Sequence, residues 1–266
     1  MALHLLNALD NATRMLNALD NATRTAQRIE LKFYITPKHV GIALGLLRQV
    51  CRPDGEYPTG LVNSLYFDTF DLDEHQKSLS GDLCKDKVRI RWYGDNGSPD
   101  GARTIYVELK SKQGFVGTKR RLKMEVPAYR LTMPHLARGI VPRAVLSNTL
   151  SSFGHFPSKL LYPVIKITYW RYRFTEPLTG QRVALDCRIR STMVRPRPGN
   201  GEKELELPGA VIEIKGTSIE LPATLKRIGM LDVDWSRFSK YSACIDAHDE
   251  RLGSIGRLSP SGRLIW

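Results

Sequence analysis

The chain has 266 residues, of which 42% are hydrophobic and 25% are charged, and its 40 lysines and arginines against 27 acidic residues give a formal net charge of +13. This length and apolar content indicate a globular protein with one larger domain or two small ones, and they exclude a chain too polar to form a core. The positive charge predicts a polyanionic partner: nucleic acid, an anionic membrane, nucleotides or phosphate chains.

The cysteines and the apolar runs restrict the compartment. Four cysteines lie far apart, with no CxxC pair and no histidine at ligand spacing. A structural zinc site is therefore not expected, and a reduced interior fits better than a disulfide framework. No apolar run approaches the roughly 18 residues that span a bilayer, and the amino terminus lacks the pattern of a secretory signal. We expect a cytoplasmic chain that does not itself span a membrane, and recruitment by a membrane partner protein is left open.

The chain begins with a direct repeat and ends with a polar tail. Residues 5–14 and 15–24 are identical except at their first position, and two copies of a ten-residue unit fit no repeat architecture. We predict a flexible amino-terminal segment at residues 1–27, one folded domain at 28–248, and a flexible basic tail at 249–266.

Hydrophobic periodicity and turn residues divide the domain into short elements. Alternation of period two predicts strands at residues 28–35, 62–68, 87–93, 103–110, 119–126, 163–174, 181–189 and 210–215, and the pattern continues at 192–195. Helices are predicted at residues 37–50 and 222–229, helical or irregular structure at 69–81 and 134–155, and a last strand or helix at 238–248.

The predicted strand at residues 87–93 alternates basic and apolar side chains. Lys87, Arg89 and Arg91 share one face of the strand, and the apolar residues between them share the other. Such a row of like charges repels itself unless water screens it or an anion binds across it. Taken alone, the strand is equally consistent with a solvated outer face and with a polyanion site.

Three further strands place a glutamate and a lysine two residues apart, at residues 29–32, 107–110 and 212–215. Cross-strand ion pairs on a wet sheet would give the same alternation, but basic residues also accumulate on other predicted strands. We therefore predict an α+β fold built on a closed, mostly antiparallel β-barrel. Its lumen is charged, its outer wall is apolar, and helices flank it. Such a tunnel would receive a string of phosphates, and its few carboxylates would hold a divalent cation.

The residues from Arg28 to about Ile245 resemble the VTC domain, the catalytic domain of vacuolar transporter chaperone polyphosphate polymerases in the triphosphate tunnel metalloenzyme superfamily. The matching stretches are Ser64-Leu65-Tyr66-Phe67-Asp68, Arg89-Ile90-Arg91-Trp92-Tyr93-Gly94, Val107-Glu108-Leu109-Lys110, Arg182 with Asp186, Ile212-Glu213-Ile214-Lys215 and Phe238-Ser239-Lys240-Tyr241.

The resemblance implies a tunnel enzyme that binds ATP with Mn²⁺ or Mg²⁺ and transfers its terminal phosphate onto inorganic polyphosphate. It also implies three groups of site residues. The catalytic group is Lys32, Arg89, Arg91, Lys110 and Arg182; the substrate-binding group is Lys87, Lys119, Arg171, Lys215 and Lys240; the metal-binding group is Glu30, Glu108 and Glu213.

Two departures from related patterns bear on the activity. Triphosphatases and adenylate cyclases of the related branch resemble one another in a Glu-x-Glu-x-Lys signature, where this chain has Arg28-x-Glu30-x-Lys32. Arg28 thus stands where the related branch has a glutamate that helps to hold metal. This difference favours a polymerase over a simple triphosphate hydrolase. The second departure is Cys84-Lys85-Asp86, where a further basic residue is expected.

Two other functions stay open: a triphosphate or polyphosphate hydrolase of the same fold, and a non-catalytic domain that binds polyphosphate or nucleic acid. Nucleic-acid binding is disfavoured because Trp92 and Trp170 alternate out of phase with the arginines, whereas single-stranded nucleic acids stack on exposed aromatic rings.

Overall fold

The computed structural model describes residues 29–95, 101–113, 116–194, 203–216, 218, 220–231 and 238–248. The predictions for the amino-terminal repeat, for Arg28 and for the tail at 249–266 lie outside these residues. All of the predicted site residues lie within them.

The described strands form one antiparallel sheet, in which the alternation seen in the sequence sends basic rows to one face and apolar rows to the other. The strands are β1 (Ile29–Ile35), β2 (Arg52–Pro53), β3 (Thr59–Asp68), β4 (Cys84–Tyr93), β5 (Ala102–Gln113), β6 (Val116–Pro127), β7 (Tyr162–Thr175), β8 (Arg182–Met193) and β9 (Glu204–Gly216). Their order is β1-β9-β8-β7-β3-β4-β5-β6, and the short β2 pairs with β7.

The helices lie between these strands and at the end of the domain. They are α1 (Val40–Val50), α2 (Asp73–Leu79), α3 (Met133–Leu136), α4 (Arg143–Ser152) and α5 (Lys240–His248), with 3₁₀ segments at Pro37–His39, Ala128–Leu131 and Ala223–Leu231. The predicted helix at 222–229 is thus a 3₁₀ segment, and the open choice at 238–248 is resolved as a helix. Within the described ranges, no helix has the length and apolar character needed to cross a membrane.

The second half of the sheet differs most from the sequence prediction. Strand β8 runs on to Met193 instead of ending at Ile189, and β9 begins at Glu204 instead of Ala210. The pairing of β8 with β9 shifts between Cys187 and Ile189, and Arg188 between them has a positive φ of 51°. Such a bulge exchanges the two faces of a strand, so the period of two is lost at the point where the prediction ended the strand.

The predicted closed barrel is not observed. Among the described residues, no backbone ladder joins the two edge strands β1 and β6. The sheet nevertheless curls strongly, because Lys110 of β5 reaches Glu30 of β1 with an N–O distance of 2.6 Å. This ion pair joins β1 to β5 across the inner face, although the described strands form no ladder between β1 and β6.

Two apolar clusters cover the outer face of the curled sheet. In one, Leu146 and Leu150 of α4 pack against the outward row of β4, including Ile90 and Trp92. In the other, α1 and the 3₁₀ segment Ala223–Leu231 pack against the outward residues of β1, β8 and β9. Since both layers of helices lie outside, the polar row of each strand is left on the inner face.

Helix α5 lies on the inner face and fills one end of it. Tyr241, Cys244 and Ile245 of α5 join an inner apolar cluster with side chains of β3, β7 and β9. The Tyr241 hydroxyl donates a 2.6 Å hydrogen bond to the buried carboxylate of Asp68, which also accepts the backbone N–H of His75 at the start of α2. The carboxylate therefore ties α5 to the sheet and caps α2 at once.

Gly209 of β9 is a position where only glycine fits. Its φ is +80°, and a Cβ atom there would overlap the carbonyl oxygen of Ile35 on β1. We expect Gly209→Ala to lower the free energy of unfolding by about 2–4 kcal/mol, because left-handed strain and a backbone clash act together. Urea denaturation measures the change.

Gly45→Ala is the matched control for this substitution. Gly45 lies inside α1 with no atom within 4 Å of the added Cβ, so the same change should raise stability by about 0.5–1 kcal/mol. Equal effects at the two glycines would contradict the assignment of strain to Gly209.

Candidate functional site

The inner face of the sheet gathers charged side chains from strands that are far apart in sequence. In the described residues we define the basic cluster as nine basic and four acidic side chains that contact one another or shared partners there. The basic members are Lys32, Lys87, Arg89, Arg91, Lys110, Lys119, Arg171, Lys215 and Lys240, and the acidic members are Glu30, Glu108, Asp186 and Glu213.

The alternating sequence explains how one part of the cluster forms. On neighbouring strands β1 and β9, Glu30 pairs with Lys215, and Lys32 pairs with Glu213. Opposite charges directly across an antiparallel pair attract each other. Each strand carries a glutamate and a lysine two residues apart, and the antiparallel pairing places each glutamate opposite the lysine of the other strand. The charges of the two strands therefore partly neutralise one another.

Asp186 and Glu213 form the acidic base of the cluster. Arg171 binds Asp186 through two hydrogen bonds of 2.5 and 2.6 Å and also contacts Glu213 at 2.8 Å. Lys240 lies 2.6 Å from Asp186 and 2.7 Å from Glu213. A lysine in the first turn of a helix opposes the helix dipole, and these two carboxylates offset that cost for Lys240 at the start of α5.

The charges in this base stabilise one another's ionised forms. Burial alone would raise the pKa of Glu213, but Lys240 and Arg171 outweigh it and hold the pKa well below its usual range. Burial would likewise lower the pKa of Lys240, but Asp186 and Glu213 raise it above the ordinary value. Glu213 and Lys240 therefore stay ionised across the physiological range.

Glu108 of β5 holds a second group of cations. Arg89 donates to one of its oxygens at 2.8 Å, and the Lys119 ammonium lies 2.6 Å from the other. Burial would raise the pKa of Glu108, but Arg89, Arg91 and Lys119 hold it below the usual range. Arg89 also donates to the Tyr66 hydroxyl at 3.0 Å, which fixes its guanidinium over the inner face.

Glu30 joins cations from three strands. Lys110 lies 2.6 Å, Lys215 3.3 Å and Lys32 3.8 Å from its carboxylate oxygens. Burial would raise the pKa of Glu30, but Lys32 and the other two lysines outweigh it and keep the pKa low. Glu30 thus spans the open side of the sheet and brings three ammonium groups together.

Two basic members of the cluster hydrogen-bond to neutral groups. Arg91 is 6% exposed and donates to the Ser64 hydroxyl at 3.3 Å and to the Tyr169 hydroxyl at 3.1 Å. Lys87 donates to the Ser239 hydroxyl at 2.7 Å. Because these hydrogen-bond partners carry no negative charge, an incoming anion can replace them without displacing a carboxylate.

Two lysines of the cluster, Lys87 and Lys119, have pKa values lowered by burial and by neighbouring cations. Burial, together with the neighbouring Lys32 and Lys110, lowers the pKa of Lys87 to about 7. Burial and Arg89 lower the pKa of Lys119 to about 7 as well, although Glu108 opposes the shift. A bound polyanion would supply the negative charge that both ammonium groups need.

The carboxylates fit a divalent cation only in combination with a phosphate ligand. No group of three histidine, cysteine, aspartate or glutamate side chains suited to a metal occurs in the described ranges. Glu30 and Glu213 lie on adjacent strands and share Lys215, and Mg²⁺ commonly binds one or two carboxylates together with substrate phosphates. Cations contact both oxygens of Glu30, of Glu213 and of Glu108 alike, so a metal ion at any of the three would displace a lysine or an arginine.

The structure brings twelve of the thirteen predicted site residues into this cluster. Arg182, the remaining one, lies at the exposed start of β8, opposite Lys215 of β9. Sequence reasoning gave no role to the hydroxyl groups of Ser64, Tyr66, Tyr169 and Ser239, and it left the role of Asp186 open. The alternation of side chains along a strand could have predicted that Tyr169 faces inward, because it lies two residues before Arg171 on β7.

The fold and the cluster define a class of protein: an antiparallel β-sheet that curls around an internal, predominantly basic site for a polyanion. The sequence profile of the VTC domain matches residues 27–248, and the chain therefore belongs to the VTC domain family. This confirms the resemblance recognised in the sequence.

Comparison with solved structures finds distant similarities. A candidate adenylyl cyclase from Hippeastrum with a dominant triphosphatase activity matches with a TM-score of 0.45 and 17% identity, over 83% of this chain and 96% of that chain. A candidate adenylate cyclase from Bacillus halodurans matches with a TM-score of 0.45 and 17% identity, over 78% and 90%. A candidate adenylate cyclase from Vibrio parahaemolyticus matches with a TM-score of 0.37 and 11% identity, over 78% of this chain and 86% of that chain. A search of curated proteins finds no significant match.

Proposed function

We propose that the protein is a metal-dependent polyphosphate polymerase that transfers the terminal phosphate of ATP onto a growing polyphosphate chain. The observation that carries this proposal is the basic cluster, in which nine basic side chains face four acidic ones on the inner face of the sheet. Membership of the VTC domain family supports it. We propose that the pair between Lys110 and Glu30 completes the wall of a tunnel at the open side of the sheet.

The residues of the cluster suit phosphoryl transfer. Arg91 and Lys87, with their neutral partners, would bind the transferring phosphate, while Arg89 and Lys32 would align the donor and the chain end. Such a transfer needs in-line positioning and neutralisation of charge, and no covalent enzyme intermediate. A divalent cation held by Glu213 and Glu30 together with phosphate oxygens would supply further charge neutralisation.

The carboxylates favour a phosphate acceptor over water. Glu30, Glu108 and Glu213 are each held ionised, with pKa values below the usual range. A carboxylate of low pKa is a weak general base, and a hydrolase must activate water. The end of a polyphosphate chain is already ionised and needs no such base.

A hydrolase is the second candidate, and one observation favours it. Lys87 and Lys119 have pKa values of about 7, so an unprotonated lysine could accept a proton from water. Bound phosphates would raise both pKa values and remove this base. The product that forms from ATP distinguishes the hydrolase from the polymerase.

The test is incubation of the purified protein with ATP and either Mn²⁺ or Mg²⁺. We expect long phosphate chains, resolved on a polyacrylamide gel, and loss of synthesis when a chelator removes the metal. Release of free phosphate alone would establish the hydrolase. Binding of polyphosphate with neither product would establish a non-catalytic binding domain.

A further inference from the structure

A polar cavity of about 240 Å³ lies on the outer face of the sheet, on the side opposite the basic cluster. Apolar clusters cover other parts of this face. At one end of β4 and β5, the outward rows change from Val88 and Leu109 to Asp86 and Ser111. We call this space the outer cavity, and its polar lining consists of the side chains of Asp86, Ser111, Thr118, Arg120 and His155.

The register of the strands places three of these side chains in one row. Asp86 of β4 pairs with Ser111 of β5, and Ser111 pairs with Thr118 of β6. Neighbouring strands lie about 4.8 Å apart, so the two hydroxyl groups are within reach of one small ligand. Arg120 follows Thr118 by two residues on β6 and therefore lies on the same face of the sheet.

The end of α4 places His155 beside this row. Gly154 follows the helix with a positive φ of 71°. Its N–H donates to the Ser151 carbonyl at 2.8 Å, and the N–H of His155 donates to the Leu150 carbonyl at 2.9 Å. These two hydrogen bonds form a Schellman motif, which ends many helices at a glycine. The motif directs the imidazole toward β4, where Nδ1 of His155 lies 3.6 Å from a carboxylate oxygen of Asp86.

Arg120 carries the charge of the cavity that is not paired. Lys119, the preceding residue of β6, pairs with Glu108 on the inner face, whereas within the described ranges Arg120 forms no ion pair with a carboxylate. A Cβ atom on Gly154 would lie 3.2 Å from a terminal nitrogen of Arg120. The glycine therefore lets the guanidinium lie against the end of α4, and its N–H groups are left for solvent or for an anion.

The donors of the outer cavity suit a phosphate group. The guanidinium of Arg120 can donate two parallel hydrogen bonds to one oxyanion, and the hydroxyls of Ser111 and Thr118 can donate one each. A carboxylate has two oxygens, whereas a terminal phosphate group has three that can accept from these donors together. The volume of the cavity equals that of about eight waters, which leaves room for a phosphate group and a small substituent.

Asp86 indicates what the substituent carries. It lies at the other end of the row from Thr118, about 9.6 Å away across two strand spacings, and this is roughly one Debye length at about 0.1 M salt. Its repulsion of a phosphate at Arg120 is therefore largely screened, and His155 stands against its carboxylate. Because an ionised carboxylate only accepts hydrogen bonds, hydroxyl groups on the ligand would suit Asp86.

We propose that the outer cavity binds a small phosphate monoester, with its phosphate group on Arg120 and its hydroxyl-bearing part beside Asp86. The sheet separates this site from the basic cluster, because Lys119 and Arg121 point to the opposite face of β6. The inference goes beyond the proposed function and does not depend on it.

The test is a titration of the isotope-labelled full chain with glycerol phosphate, followed by NMR. The backbone amide signals of Gly154 and His155 report on the outer cavity alone, whereas calorimetry would also register anions that bind to the basic cluster. We expect both signals to shift and to saturate. In Arg120→Gln the midpoint should rise about tenfold or more, because a charged, bidentate contact is lost. Inorganic phosphate, which lacks the hydroxyl-bearing part, should bind the unmodified protein more weakly.

Arg121→Gln is the matched control, since it removes the same charge from the next residue of β6 on the other face. It should leave the midpoint at Gly154 and His155 within about twofold. Thr118→Val keeps the shape of the side chain and removes its hydroxyl, so it should weaken binding by about three- to tenfold.

Two results would overturn the site: shifts that do not saturate in the unmodified protein, or an unchanged midpoint in Arg120→Gln. Shifts transmitted from the basic cluster would survive that substitution, so the variant separates the two sources. Equal midpoints for glycerol phosphate and inorganic phosphate would overturn the role given to Asp86, because the phosphate group alone would then account for binding.

Discussion

Replacement of Arg91 by alanine is expected to reduce polyphosphate synthesis by about 10²- to 10³-fold, the usual cost of removing one preorganised group that stabilises transition-state charge. Arg91 is buried, and it donates to the neutral hydroxyls of Ser64 and Tyr169. The phosphate can therefore replace these neutral partners, whereas the carboxylates of Asp186 and Glu213 hold Arg171 by direct hydrogen bonds. The initial rate of chain synthesis at saturating ATP measures the effect.

Two variants accompany this substitution. Arg190→Ala removes an exposed arginine of β8 that pairs with Glu206 outside the basic cluster, and it should leave the rate unchanged. Arg91→Lys keeps the charge but loses the planar, bidentate grip, so an intermediate rate is expected. If folded Arg91→Ala, checked by its urea midpoint, made polymer at the normal rate, Arg91 would have no part in the transfer.

The sequence was sufficient to predict which side chains share a face, because that follows from the period of two. Lys87, Arg89 and Arg91 point to the inner face, and Trp92 is buried on the other side. The prediction that strands distant in sequence bring charged side chains together was also correct, as the ion pair between Lys110 and Glu30 shows. The first result depends only on local backbone geometry and on the burial of apolar rows, whereas the second also requires the sheet to curl.

The remaining features depend on tertiary geometry that no local pattern contains. Closure of the sheet is decided by where its edge strands come to lie, and the bulge at Arg188 depends on packing around β8 and β9. Which cation pairs with which carboxylate depends on distances across the inner face, as Asp186 illustrates. Tyr93 could have been predicted to face inward, since it continues the row of Arg91, but its exposure and its arginine neighbour depend on how the sheet curls.

Binding of long-chain polyphosphate is expected to weaken as the pH rises above 7, by up to about tenfold per pH unit for each proton taken up. In the free protein, burial, Lys32 and Lys110 lower the pKa of Lys87 to about 7 from the ordinary value of 10.5. Bound phosphates restore negative charge beside the ammonium group and raise this pKa, so the complex binds a proton that the free protein has lost. Titrations between about pH 7 and 9 measure the slope, and the internal phosphates of a long chain do not titrate there.

Lys87→Arg separates this linkage from a general loss of charge. Arginine stays protonated throughout this range, so at about pH 9 the variant should bind polyphosphate more tightly than the unmodified protein and should show a shallower slope. Lys119, whose pKa is also about 7, accounts for the slope that remains. Parallel pH profiles for the two proteins would show that Lys87 keeps its proton in the free protein. The cost of burying its ammonium group among cations would then have to be offset by an anion already bound beside it.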